Sequence, residues 1–133
     1  MKASTDFELD SIMQEKPGGY RKAAFTLGDE EDQRAPRVRY ATWPPHMIVD
    51  PHRHPVDYCE IILKGSQRVG STWHHEGHVR VVKGGTGYGP LEAGPEGCTF
   101  IVIFAGGDTA TTFLPTTRKH PQPVRIPSGK RSG

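Results

Sequence analysis

The sequence has no asparagine, two cysteines, and no apolar run longer than the six residues from Phe100 to Ala105. Without asparagine there is no acceptor for N-glycosylation. Cys59 and Cys98 lack CxxC spacing and form no multi-bridge framework, so they read as free thiols of a reducing compartment. Six apolar residues fall far short of the roughly 20 that a bilayer-spanning helix needs. Met1 to Asp6 holds no apolar core of a secretory signal. The expectation is a cytoplasmic protein with no membrane partner. A strong charge imbalance is also missing: the formal net charge is +2, too small to suggest a nucleic-acid binder. Nor is there a GxxxxGK[ST] phosphate loop or a GxSxG nucleophile elbow, and Lys83-Gly84-Gly85-Thr86-Gly87 reads as a β-turn.

What is abundant is turn-forming residues. Sixteen glycines and 12 prolines are spread over 133 residues, leaving few stretches long enough for a helix bundle. From Arg37 onward, short strand-like pieces alternate with turn signals. They are Val38–Trp43, Met47–Val49, Tyr58–Leu63, Gln67–His74, His78–Val82, Cys98–Phe104 and Ala110–Leu114. This pattern predicts an all-β sandwich or barrel over residues 37–114. Residues 1–36 are charged and read as an N-terminal arm, with one short helix near Asp6 to Gln14 stopped by Pro17. Residues 115–133 carry five basic residues, four prolines and no acid, and read as an irregular, solvated tail.

Histidine is concentrated: six of the seven (His46, His52, His54, His74, His75, His78) fall within 33 residues. His52-Arg53-His54 carries the strongest chemical signal. Residues two apart on a strand share a face, so two imidazoles stand about 7 Å apart along the backbone and can converge on one ion. The same parity places Tyr58, Glu60 and Ile62 on the face of His54. Two imidazoles and one carboxylate suit iron, manganese, nickel or zinc, with positions left open for substrate. His52, His54 and Glu60 are therefore the expected metal ligands. His46, His74, His75 and His78 sit near turns, where solvated histidines are common, and Trp43 and Trp73 read as packing residues.

The stretch from His52 to Phe104 resembles the cupin domain. Of the cupin motif G(X)5HXH(X)3,4E(X)6G, His52, His54 and Gly65 match, while Tyr58 stands in the glutamate slot and His46 in that of the first glycine. Of the second motif, G(X)5PXG(X)2H(X)3N, Gly77 and Gly85 match. Lys83, Tyr88 and Glu92 replace its proline, histidine and asparagine. The run from Tyr88 to Cys98 and the segment Thr112-Phe113-Leu114-Pro115 also resemble small single-domain bacterial cupins. The resemblance implies a double-stranded β-helix (a jelly-roll barrel) with a degenerate metal site that keeps two of the usual four ligands. It also implies a homodimer, for which Val38–Trp43 is the expected pairing edge.

The expected function is that of a metal-dependent enzyme acting on a small carbonyl, carboxylate or enol. Dioxygenase, isomerase or lyase chemistry all fit, with Tyr58, Glu60 and Tyr88 as acid/base or substrate-binding groups. The competing expectation is a metal-free small-molecule-binding or sensor protein, which the tyrosines in the ligand slots favour.

Overall fold

A computed structural model describes residues 3–116 and 122–127. The long strands are β3 (Arg37–Trp43), β6 (Tyr58–Val69) and β9 (Leu91–Phe104). Between them lie β4 (Ile48–Val49), β5 (His52–Arg53), β7 (Thr72–His75) and β8 (Val79–Val82). β1 (Gln14–Glu15) and β2 (Arg21–Thr26) precede β3, while β10 (Thr112–Phe113) and β11 (Val124–Arg125) follow β9. All pairings are antiparallel, and the main sheet curls on itself around β9. On one side β9 pairs β3 over Cys98–Phe104 and β4 over Leu91–Glu92; on the other it pairs β6 along most of its length. A two-stranded sheet of β5 and β10 stands apart from it in pairing.

The strand pattern gives this curl an apolar inside. Tyr58, Glu60 and Ile62 alternate inward on β6, as do Cys98, Phe100, Val102 and Phe104 on β9. Apart from Glu60, they form one buried cluster with Ala41, Trp43 and Met47. The bend between β6 and β9 is made by register shifts near Ile62/Lys64 and Gly65/Gln67. Gly65 adopts φ 79°, and a Cβ there would stand 2.2 Å from the carbonyl oxygen of Gly97, so only glycine fits the crossing.

Four expectations change. The N-terminal helix is a single 3-10 turn, Leu9–Ile12; the extended backbone at Met13 and Pro17 leave no room for the expected span to Gln14. Residues 21–26 are not a loose arm: β2 pairs β3 over its whole length and carries the sheet past residue 37. β3 consequently lies between β2 and β9 and has no free edge for the expected dimer pairing. The tail is also ordered in part. β11 pairs β4, and Arg125 donates to the buried Asp50 carboxylate at 2.8 Å. The other basic residues of the tail (Arg118, Lys119, Lys130 and Arg131) lie outside the described residues. Among the described residues, no helix is long and apolar enough to cross a membrane.

Candidate active site

His52 and His54 lie on and just after β5, with Arg53 exposed between them and both imidazoles buried. Their ring centroids are 5.1 Å apart, with the planes at 84°. Each ring is anchored from behind: His52 Nδ1 lies 2.8 Å from the Asp50 carbonyl oxygen, and His54 Nδ1 lies 3.0 Å from that of Ala110. A carbonyl only accepts, so each Nδ1 carries the proton and each Nε2 keeps its lone pair. Burial holds both imidazoles below the usual histidine range, and the positive charges of Arg39 and Arg80 add to it. Two neutral, oriented imidazoles are the state in which histidine binds metal.

The two tyrosines close around them. Tyr88 is joined to His52 by reciprocal backbone hydrogen bonds of 3.0 and 3.1 Å. Its hydroxyl then donates to His52 Nε2 at 3.0 Å. Tyr58 opens β6, with its ring centroid 5.2 Å from His54 and 6.1 Å from Tyr88. The Tyr58 hydroxyl is buried without a hydrogen-bond partner. Burial raises both phenols above the usual tyrosine range, so both are neutral at physiological pH.

Glu60 faces inward as its parity requires, but its carboxylate is engaged elsewhere. Glu60 and Arg80 stand opposite each other on β6 and β8, and Arg80 Nη2 lies 3.3 Å from Glu60 Oε1. Among the described residues, no three His, Cys, Asp or Glu side chains are grouped to share a metal ion. Glu60 is thus held by a guanidinium rather than set beside the histidine pair. Burial raises its carboxyl above the usual range, with Arg80 opposing that rise. Arg80 also lies over the Tyr88 ring, 4.4 Å from its centroid.

His52, His54, Tyr58, Glu60 and Tyr88 line a cavity of about 120 Å³. Its apolar walls come from Trp43, Phe100, Phe104 and Phe113, and Arg39 reaches it from β3. The sequence reading missed both arginines. The signal for Arg39 was present: it shares strand parity with Ala41 and Trp43, a cation on an otherwise apolar face. Of the remaining histidines, His74 stacks on His78 at 3.7 Å away from this cavity, and His46 is exposed. Lys83–Gly87 forms the expected turn, with Thr86 N–H bonded to the Lys83 carbonyl, and Gly85 N–H ties it to the His54 carbonyl. Trp43 is buried as expected, whereas Trp73 is 42% exposed.

No protein-family model matches the chain, and no curated protein matches it. Solved structures do. Oxalate decarboxylase from Bacillus subtilis at pH 4.6 superposes with a TM-score of 0.65 at 20% identity, covering 81% of this chain and 31% of that one. A structure of the same enzyme, from a study of its Mn(II) centres, gives 0.64 at 20% identity and covers 81% and 32%. This chain therefore spans about a third of the length of those proteins. At such identity the likeness concerns the fold. On its curled antiparallel sheet and these neighbours, the chain has an all-β fold, shared with the oxalate decarboxylase structures it superposes on.

Proposed function

We propose that the protein is a metal-dependent cupin enzyme acting on a small carbonyl, carboxylate or enol. The observation that carries this reading is the histidine pair: two buried, neutral imidazoles, each fixed through Nδ1, lining one cavity. His52 and His54 would hold a divalent iron, manganese, nickel or zinc ion. The Tyr58 hydroxyl, buried beside His54, would be the third donor in place of the Arg80-held Glu60. The structurally similar oxalate decarboxylase has Mn(II) centres, which supports a metal-dependent reading of this chain. When bound, the ion supplies Lewis-acid polarisation of a substrate oxygen.

The chain's own residues do the rest. Tyr88 would give up its hydrogen bond to His52 Nε2 once an ion is held there, keeping a phenol proton at the wall of the cavity, and is the candidate acid. The Glu60–Arg80 pair keeps the guanidinium stacked on Tyr88 and so fixes that phenol. The aromatic walls limit water around the reacting atoms. Dioxygenation, isomerisation and lyase chemistry are all compatible with this set, because the fold alone does not select a reaction.

One observation favours a second reading, a metal-free pocket for binding or sensing. The Tyr88 hydroxyl already occupies His52 Nε2, and both guanidiniums disfavour added positive charge at the histidines. Thermal unfolding separates the two. The enzyme reading expects EDTA to lower the melting temperature and Mn2+ or Fe2+ to restore it. Identical melting curves with chelator, with metal and without either would leave the sensor reading standing.

A further inference from the structure

We infer that Arg39 is the anchor for a substrate carboxylate, which narrows the proposed reading to small carboxylic acids and rests on that reading for its catalytic meaning. Arg39 shares the inward face of β3 with Ala41 and Trp43. Its guanidinium lies over the Phe104 ring, 5.0 Å from the centroid, at the wall of the cavity. Among the described residues it has neither an ion-pair nor a hydrogen-bond partner, whereas Arg80 is paired with Glu60. A half-buried guanidinium with no anion is costly, and a ligand carboxylate removes that cost through two parallel N–H···O bonds.

The remaining features set the ligand's size and shape. A cavity of about 120 Å³ is somewhat smaller than the roughly 150 Å³ that encloses benzene, which suits an acid of about four to six non-hydrogen atoms. His52, His54 and Tyr88 line the same cavity, so a second oxygen on the ligand (keto, hydroxyl or carboxylate) can address them while the first carboxylate stays on Arg39. The ligand class is a short 2-oxo acid, 2-hydroxy acid or dicarboxylate.

Titration calorimetry on EDTA-treated, dialysed protein tests this with pyruvate, glycolate and oxalate, and with pyruvamide as the neutral match to pyruvate. At least one acid is expected to bind at least tenfold more tightly than pyruvamide binds. Arg39→Gln should weaken that acid at least tenfold, and Arg39→Lys by a smaller factor, since it keeps the charge and loses the fork. If Arg39→Gln does not fold, Arg39→Lys with the pyruvate/pyruvamide ratio on the parent protein decides. Binding of none of the acids, equal binding of acid and amide, or unchanged affinity in the arginine variants would overturn the inference. Metal binding is measured separately on the same preparation. Acid binding without metal binding defeats the metal reading alone, and metal binding without acid binding defeats this one alone.

Discussion

Replacing Arg80 by methionine isolates one charge whose role the structure defines closely. Arg80 Nη2 lies 3.3 Å from Glu60 Oε1, and the two side chains are 14% and 6% exposed, so little water can take the place of the guanidinium. Removing one partner of such a pair leaves an uncompensated buried carboxylate, at a cost of about 3–5 kcal/mol. That is a large share of the ~5–15 kcal/mol that holds a domain together. The cost should depend on pH in a defined direction. Burial already raises Glu60 above its ordinary value, with Arg80 pulling the other way, so the variant's carboxyl rises further. A carboxyl raised in the folded state keeps its stability below the unfolded pKa. It loses that stability as pH rises through the folded value, by up to about 1.4 kcal/mol per pH unit. The deficit of Arg80→Met against the parent should be greatest above neutrality and shrink toward pH 4.5. Urea unfolding followed by tryptophan fluorescence from pH 4.5 to 8.5 measures it. Adding Glu60→Gln should recover most of the loss at pH 8. A deficit that is flat with pH, or a double variant as unstable as the single one, would refute this account of the pair.

Other expectations follow from single contacts. Gly65→Ala forces a Cβ to within 2.2 Å of the Gly97 carbonyl at φ 79°, whereas Gly77 has φ 89° and open space. Gly65→Ala should therefore cost about 2–4 kcal/mol in urea unfolding, against about 1 kcal/mol for Gly77→Ala. Equal losses would mean that the close β6–β9 crossing is not what requires glycine. Cys98 is buried and its thiol is pushed up to about 12 by burial. A thiol reagent at pH 8 should leave it unmodified in the native protein and reach it only after unfolding. Tyr88→Phe removes the hydroxyl that donates to His52 Nε2. Freed of a bond worth about 0.5–1.5 kcal/mol, the site should bind Mn2+ or Zn2+ about 2- to 12-fold more tightly, as dialysis equilibrium would register. Weaker binding would instead identify Tyr88 as a ligand.

The fold was legible where one strand's own alternation decided it. Tyr58, Glu60 and Ile62 follow His54 onto the inner face because period-two geometry carries along the chain, and HxH announces itself without a partner strand. What the sequence concealed depends on register between distant strands. In Val79-Arg80-Val81 apolarity alone favours turning the valines inward, yet Val81 is 80% exposed and Arg80 packs over the Tyr88 ring. The cross-strand match of Arg80 with Glu60 sets that choice. The same match explains why Glu60, correct in parity as a ligand, is held by a cation. β2 escaped notice because Arg21 to Thr26 sits among charged and glycine-rich neighbours; it becomes a strand through pairing with β3.

The histidine pair is the center of the account, and metal content tests it most directly. Tag-free protein purified without chelator, then equilibrated with Mn2+, Fe2+, Ni2+ or Zn2+ and dialysed, would be assayed by inductively coupled plasma mass spectrometry. The result expected is about one divalent ion per chain, lost in His52→Ala and in His54→Ala variants that remain folded. Parent protein that retains no ion under any of the four conditions, or variants that retain as much as the parent, would contradict it.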